Sequence, residues 1–293
     1  MEEKENIVLY DWLSFTSKKH TPEELIQALG LTHCPWQETK GAHGYRDRKY
    51  FSCISVHYNG REDMGVWVEL SGQGCRTFES LSSKSWDDLF QWITAQQLKI
   101  TRLDVAFDDH TGVLDIAQIV EDTRQQHYVS RSDYWETVLS SKGSTVQIGS
   151  PKSKVLVRIY DKAAERHCEP GTHWIRVELQ LRDDRAAQFC KLPMTVGEAF
   201  SGVVLNYLRY VVPDDTDMLD VSGKGVVVPD LQRSALGGLI VVVYLLALVR
   251  RVPQLVIVPV VVEILPALDL VVDCLTAATQ LPGYVAHRLF LIQ

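Results

Sequence analysis

The chain has 293 residues, of which 46% are hydrophobic and 23% charged, and these values are ordinary for a globular protein. Its 7 Trp, 11 Tyr and 8 Phe exclude disorder as the dominant state, because so many rings need burial. The net charge of -7 argues against a protein that coats nucleic acid or anionic lipid by bulk electrostatics, although it allows a local basic groove.

Cysteine usage and the N-terminus bear on localisation. The six cysteines are scattered without a CxxC pair, which argues against a zinc ribbon or a disulfide scaffold and favours a reducing compartment. Residues 1–6 are acidic and lack the basic-then-apolar order of a signal peptide. The longest uninterrupted apolar run, Ala235–Val249, has 15 residues, fewer than the roughly 20 that span a bilayer. We expect a cytoplasmic protein with no membrane partner.

The composition changes near residue 218. Residues 218–293 carry only ten charged side chains, are rich in Val and Leu, and show neither a strand nor a helix period. We therefore interpret residues 1–217 as one domain and residues 218–293 as an atypical, irregular tail. Buried strands, an interfacial segment and translation from a shifted reading frame all stay open for the tail. The shifted frame is favoured, and no function is assigned to it.

In the first hundred residues, predicted strands are followed by predicted helices. The predicted strands are Asn6–Thr16, Tyr50–Tyr58 and Gly65–Ser71, and the predicted helices are Glu23–Leu29 and Ser85–Gln96. Thr21 and Glu24 have the spacing of a capping box at the start of the first helix. The turn between the second and third strands is expected near Asn59 and Gly60, and residues 72–74 are read as another turn.

The following hundred residues contain more strands. The predicted strands are Ile100–Asp108, Thr145–Gly149, Val155–Tyr160 and His173–Leu181, and the predicted helices are Leu114–Gln125 and one that begins near Asp183. No internal repeat is visible in the sequence. The order predicts an α+β fold with a mainly antiparallel central sheet and flanking helices.

The stretch Lys152–Lys162 is the most informative one. Alternate side chains of a strand share a face, so positions 155, 157 and 159 give an apolar face. The other face has these residues: Lys152, Lys154, Leu156, Arg158, Tyr160 and Lys162. A solvated strand face with a snorkelling tyrosine is one interpretation. Four cations and no acid in a protein of net charge -7 favour a phosphate-binding surface instead.

Two other strands place carboxylates among apolar residues. Asp104 and Asp108 share one face of the strand Ile100–Asp108, and Glu178 shares a face with Arg176 in the strand His173–Leu181. A buried acid needs a partner. Salt bridges to the nearby arginines are one interpretation. The other is a Mg²⁺ or Mn²⁺ site with Asp104 and Glu178 as oxygen ligands and Asp11 as a weaker third.

Motifs that are missing narrow the chemistry. The sequence contains no GxxxxGK[ST], which makes a P-loop nucleotidase improbable. It also contains no HExxH and no GxSxG, so neither the zinc-protease helix nor the nucleophile elbow of the α/β-hydrolases is present.

Five segments in order resemble the replication initiation factor family (Rep_trans), the rolling-circle replication initiators of plasmids, phages and conjugative elements. The segments are Leu9–Thr16, Thr101–Asp109, Gln147–Ser150, Arg158–Lys162 with Glu165, and Arg176–Leu179. The resemblance extends over about residues 7–212, and the chain departs from the family pattern after about Asp217. It implies a relaxase-like nuclease domain.

The resemblance also implies an activity. Such initiators nick one strand of an origin with a tyrosine, stay linked to the 5′ phosphate and leave a 3′ hydroxyl. Carried over, Tyr160 is the nucleophile, Lys162 and Arg158 contact the scissile phosphate, and Asp104 and Glu178 bind Mg²⁺ or Mn²⁺. The expected partners are single-stranded or cruciform origin DNA, a host helicase and a second copy of the chain.

Three further cations, Lys152, Lys154 and Arg176, are predicted to contact DNA beside these residues. Two alternatives differ in class from a nickase. One is a regulator or inactive initiator that binds the origin without cutting it. The other is a phage-encoded interaction protein, which would show no salt-dependent DNA binding.

Overall fold

An antiparallel sheet of ten strands organises the protein, whose computed structural model describes residues 5–211. Its first five strands are β1 (Ile7–Ser17), β2 (Gln37–Lys40), β3 (Asp47–Phe51), β4 (Ile54–Tyr58) and β5 (Val66–Leu70). The other five are β6 (Lys99–Asp109), β8 (Trp135–Ser140), β9 (Gly143–Ile148), β10 (Val155–Asp161) and β11 (Ile175–Arg182). Strands β7 (Tyr128–Ser130) and β12 (Leu208–Tyr210) form a separate pair. The predicted α+β class and antiparallel sheet are confirmed.

Seven helices are described for residues 5–211, and six of them pack on one face of the sheet. The helices are α1 (Pro22–Ala28), α2 (Gly72–Leu81), α3 (Trp86–Ala95), α4 (Ile116–Arg124), α5 (Lys162–Glu165), α6 (Asp183–Phe189) and α7 (Val196–Tyr207). All but α5 contribute to one buried apolar cluster, for example with Leu25, Phe78, Leu89, Val120, Phe189 and Phe200. The alternate strand residues Phe15, Val105 and Val157 meet them. Because side chains alternate along a strand, the polar residues point to the opposite face.

The sheet consists of two halves with the same strand order. The full order is β2-β3-β4-β5-β1-β6-β11-β10-β9-β8, and the antiparallel pair β1–β6 lies at its centre. Counted outward from that pair, each half places its first, fifth, fourth, third and second strand, leaving β7 aside. In each half a helix follows the first strand and two helices follow the last. The repeat is one of topology, and the sequence reading, which saw none, was wrong.

Several predicted elements are confirmed with their local signals. Thr21 and Glu24 form the predicted capping box of α1, because the Thr21 side chain accepts from the Glu24 amide and the Glu24 side chain accepts from the Thr21 amide. Strands β9 and β10 pair as predicted, with Ile148 opposite Val157.

The tail, residues 218–293, lies outside the described residues. In the described part of the chain, no helix has both the length and the apolar character needed to cross a bilayer.

Two predicted elements were wrong. The strand predicted over Tyr50–Tyr58 is the hairpin β3–β4, whose turn residues Ser52 and Cys53 both have positive φ, at 40° and 66°. The turn predicted at residues 72–74 is the first turn of α2. A Cβ on Gly74 would lie 2.4 Å from the carbonyl oxygen of Cys53, so glycine there permits a close approach of helix and hairpin rather than a turn.

Gly149, directly after β9, combines a special backbone conformation with a close contact. Its φ is +106°, and a Cβ would lie 2.9 Å from the Val155 carbonyl oxygen. The Tyr207 hydroxyl donates to that same oxygen at 3.1 Å, which ties the end of α7 to the start of β10. Gly112 has a similar φ of +82° but would meet nothing within 4 Å. An alanine at either position would therefore have a strained backbone, but only an alanine at position 149 would also meet a close atom.

We predict that Gly149→Ala lowers the free energy of unfolding more than Gly112→Ala does. A left-handed conformation costs an alanine about 1–2 kcal/mol at either position, and at position 149 displacement of a backbone oxygen adds at least about 1 kcal/mol. Urea denaturation of both variants measures the difference. Equal losses would show that contact with Val155 is unimportant.

Candidate active site

Strands β6, β11 and β10 place the predicted site residues side by side on the polar face. In the register, Glu178 lies opposite Arg158, and Gln180 lies opposite Asp104. The carboxylates of Asp104 and Glu178 belong to the small set of buried acidic groups in the described chain. The alternation read from the sequence thus gave the face of Asp104, Glu178 and Tyr160, and the sheet register brings these residues together.

Tyr160 lies on this polar face, partly exposed. Its hydroxyl donates to Glu178 Oε2 at 3.1 Å and accepts from Lys162 Nζ at 3.4 Å. The Asp161 side chain caps α5 by accepting from the Ala164 amide at 2.8 Å, so the chain turns immediately after Tyr160. That turn directs Lys162 back over the tyrosine ring, with Nζ 5.4 Å from its centroid. Lys162 is 3% exposed, and Glu165 lies 2.5 Å from its Nζ.

The environment keeps the Tyr160 phenol protonated. Burial raises its pKa well above the ordinary value of 10, and the Glu178 charge raises it further, against a smaller lowering by Arg176. The cations near Tyr160 in the sequence predicted an open cationic surface, which would favour the phenolate. That expectation was wrong, because the nearest charged neighbour of the hydroxyl is a carboxylate.

Each carboxylate of the predicted metal pair is bound by an arginine. Arg102 Nε donates to Asp104 Oδ1 at 2.9 Å, and an Arg158 amino group donates to Glu178 Oε1. Burial raises the pKa of Asp104 to about 7, and the Glu178 charge also raises it, while the hydrogen bond from Arg102 lowers it. The salt bridges that the sequence left open therefore exist, and the two acids are close enough to repel each other.

Asp11 reaches the polar face through a bulge in β1. The register shifts between Tyr10 and Trp12, which leaves Asp11 as the extra residue. Its Oδ2 lies 2.8 Å from an Arg176 amino group, and the other side of the Arg176 guanidinium binds Asp108 at 2.6 and 2.7 Å. Arg176 is 4% exposed. Arg176 was predicted to contact DNA. That prediction was wrong, because two carboxylates hold its guanidinium beneath the surface.

Lys152 and Lys154 do not share the strand face of Tyr160. Strand β10 begins at Val155, so the period of two does not extend to the turn that carries both lysines. Both are exposed, and Lys154 Nζ is paired with Asp184 at 2.6 Å. The prediction that four cations share one strand face without an acid was therefore wrong. Arg158 and Lys162 are the predicted cations that lie beside the phenol.

A divalent cation fits part of this site. Asp104 and Glu178 supply oxygen ligands in a buried setting where their mutual repulsion favours a bound cation. In residues 5–211, no three His, Cys, Asp or Glu side chains are grouped closely enough to hold a metal, so Asp11 is not assembled as a third ligand. Mg²⁺ commonly uses one or two carboxylates and completes its shell with water and substrate phosphate, so two protein ligands are sufficient.

The sequence reading missed the roles of two neighbours. Arg102 is one of the arginines near these carboxylates in the sequence, and its guanidinium lies 4.5 Å from the Trp12 ring while it binds Asp104. Gln180 is buried opposite Asp104, and its Nε2 has no hydrogen-bond partner among the described residues. The alternation in β11 was the signal that could have identified Gln180.

Comparisons with known proteins identify the family of the chain. Residues 98–217 match the family described as Replication initiation factor, and residues 7–94 match the Rolling Circle replication initiation protein N-terminal domain. The solved structure of a rolling circle replication initiator protein from Geobacillus stearothermophilus is 30% identical with a TM-score of 0.67. That match covers 73% of this chain and 90% of the other. The chain belongs to the replication initiation factor family.

The two matches divide the family region where the two halves of the sheet meet, between the end of α3 and the start of β6. NicK of Bacillus subtilis (strain 168), a candidate DNA relaxase, is 29% identical over 231 residues. This alignment covers 71% of the present chain and 66% of NicK, so the chain spans just under two thirds of that relative.

We predict that Asp104 makes the protein less stable as the pH rises from about 4 to about 7. Over that range the folded protein keeps a proton on Asp104 that the unfolded chain has lost, and the free energy of unfolding falls until both states are ionised. Asp104→Asn should remove this part of the pH dependence. The variant's Tm relative to wild type should rise by several degrees over the range, since 1 kcal/mol shifts Tm by about 2–4 °C at this size.

Melting curves in EDTA between pH 4 and pH 8 provide the measurement. Asp87→Asn, on the exposed side of α3, is the matched control and should follow the wild type at every pH. A constant offset between Asp104→Asn and wild type across the range would refute the raised pKa.

Proposed function

We propose that this protein initiates rolling-circle replication by nicking one strand of origin DNA with Tyr160. The observation that carries the proposal is the phenol of Tyr160 on the polar sheet face, between the Glu178 carboxylate and the Lys162 ammonium. The printed names of its relatives, a rolling circle replication initiator and a candidate DNA relaxase, support the same activity.

The proposed step exchanges one phosphate ester for another. The Tyr160 oxygen attacks the scissile phosphorus, and its proton passes to the Glu178 oxygen to which it is already hydrogen-bonded. The bond from phosphorus to the 3′ oxygen breaks, and that oxygen takes up a proton to become the free 3′ hydroxyl. The 5′ phosphate is left joined to the tyrosine. Since the number of phosphate esters is unchanged, religation needs no nucleotide, consistent with a sequence that lacks a P-loop.

Two cations are suited to stabilise the charge that develops. Lys162 Nζ donates to the phenol oxygen and so favours the attacking phenolate over the resting phenol. Arg158 has a buried Nε without a hydrogen-bond partner among the described residues, although one of its amino groups binds Glu178. A phosphate oxygen could accept the hydrogen bond that this Nε does not make among the described residues.

We further propose Mg²⁺ or Mn²⁺ as the cofactor, held by Asp104 and Glu178. A bound divalent cation supplies positive charge that polarises a phosphate and lowers the pKa of nearby acids. Lys152 and Lys154, exposed on the turn before β10, stay predicted contacts to DNA phosphates. A host helicase and a second copy of the chain stay predicted partners.

We predict that Tyr160→Phe abolishes the covalent protein–DNA adduct, because it removes the oxygen that forms the ester. The assay incubates the protein with labelled single-stranded origin DNA and Mn²⁺, then resolves it in SDS. Tyr134→Phe is the control, since the exposed Tyr134 hydroxyl also donates to a glutamate, Glu136, at 3.2 Å. It should leave the adduct unchanged.

An adduct of undiminished yield in Tyr160→Phe would refute the assignment of the nucleophile. If the wild type binds origin DNA but forms no adduct, the second function considered from the sequence, an origin-binding regulator, replaces the nickase.

We predict that Mn²⁺ raises the Tm of the wild type and that Asp104→Asn and Glu178→Gln each lose most of this rise. Binding to the folded state stabilises it by about 2.7 kcal/mol at a hundredfold excess over Kd. Thermal melts with and without Mn²⁺ test the site without depending on activity. Asp87→Asn should retain the full response, and a full response in both site variants would exclude these ligands.

A further inference from the structure

The half of the sheet without Tyr160 has a cluster at the position that corresponds to the active site. Both halves contain Val-Glu-Leu in the strand next to the central pair, with Glu69 in β5 and Glu178 in β11. Aligned on these glutamates, His57 of β4 corresponds to Tyr160 of β10 and Trp67 to Arg176. His57 faces Trp67 across the strands as Tyr160 faces Arg176.

Aromatic rings occupy this corresponding position. We define the aromatic cluster as His43, Tyr45, His57 and Trp67. Trp67 stacks on His57 with ring centroids 4.8 Å apart and planes inclined at 21°, and Tyr45 lies 6.2 Å from Trp67 at 24°. The His43 ring meets Trp67 edge-on at 5.3 Å. His43 is exposed and Trp67 is partly exposed, so the cluster opens to solvent on the polar face.

His57 gives the cluster an unused polar atom. The side chain is 2% exposed, and its Nδ1 has no hydrogen-bond partner in the described part of the chain. Burial lowers the pKa of His57 to about 4, and the charges of Arg48 and His43 lower it too, so the ring is neutral at neutral pH. The ring on which Trp67 stacks is therefore an uncharged one.

The aromatic cluster and Tyr160 lie on the same face of one sheet. Four strand spacings of about 4.8 Å separate β5 from β10, which is roughly 19 Å across the sheet. Through Thr16 of β1, Trp67 is level with Lys99 of β6. Through Arg176, Tyr160 is level with Asp108 of the same strand. At about 3.3 Å per residue this adds roughly 30 Å in the strand direction, so the two sites are joined by a diagonal across the face. Trp12, whose ring lies 4.5 Å from the Arg102 guanidinium, is on the strand between β5 and β6. An extended nucleic-acid strand that crosses this face passes from aromatic rings to the phenol.

We propose that the aromatic cluster is a nucleobase-binding subsite for single-stranded DNA, where a base stacks on the exposed part of Trp67. Aromatic platforms bind single strands with little sequence preference because every base has a π-face. The ring faces of Trp67 and Tyr45 suit bases, which stack on aromatic side chains. The inference rests on the proposed function for its choice of DNA as the ligand, and it adds a binding site remote from the chemistry.

The test measures binding of fluorescent oligo(dT) of twenty nucleotides to the full chain by anisotropy, without metal so that no strand is cut. Trp67→Leu retains an apolar side chain and removes the ring, and it should weaken binding by about 5- to 100-fold. Trp67→Phe should recover most of the loss. Trp92→Leu is the matched control, because Trp92 is also partly buried and packs against a histidine ring, His20, at 5.2 Å, but belongs to helix α3.

An abasic oligonucleotide of the same length separates stacking from charge. If Trp67 holds a base, wild type and Trp67→Leu bind the abasic strand within about twofold of each other. Equal weakening on both probes, or oligo(dT) binding by Trp67→Leu within twofold of wild type, overturns the inference. The phosphotyrosine adduct is assayed separately, so a protein that forms no adduct but shows Trp67-dependent binding refutes nicking and keeps the subsite.

Discussion

The pairing of buried charges at the centre of the sheet is the constraint on which the site depends. Arg176 of β11 is held by Asp108 of β6 and by Asp11, the bulged residue of β1. These three strands include the central pair at which the two halves of the sheet meet. Removing one partner of such a buried pair typically costs about 3–5 kcal/mol, because it leaves a charge without compensation. The ion pairs therefore fix the register on which the position of Tyr160 depends.

The same pairing explains why the resting site is not already activated. Asp104 and Glu178 are each bound by an arginine, and the phenol donates to Glu178 instead of losing its proton. Arrival of a phosphate would offer Arg158 a new anionic partner, and that would free Glu178 to accept the proton. In this view the arginines stabilise the buried carboxylates until a DNA phosphate competes for the same arginines. Catalytic groups commonly show such perturbed environments.

The two halves use one scaffold for different surfaces. Both present a glutamate at the same place in a Val-Glu-Leu strand, Glu69 and Glu178. Glu178 is bound by Arg158. Glu69 lies near aromatic rings and an uncharged histidine, and the charges of Arg48 and Arg102 lower its pKa without a hydrogen bond. Burial raises the pKa of Glu69, and the described structure gives it no Arg bond like that of Glu178. The proposed division into a reacting half and a binding half rests on this difference in side chains on a shared backbone.

The sequence by itself determined which residues share a face. Strict alternation in β6, β10 and β11 placed Asp104, Glu178 and Tyr160 opposite the apolar core, because a period of two is a local property of the chain. It determined the capping of α1 for the same reason.

Tertiary structure alone decided which cation meets which acid, since Arg176 and Asp108 are 68 positions apart and only the register joins them. It also decided where β10 begins, and so excluded Lys152 and Lys154 from the face of the phenol. The repeated half-sheet became visible only in three dimensions, because strand order is set by non-local pairing, which leaves little trace in a single sequence.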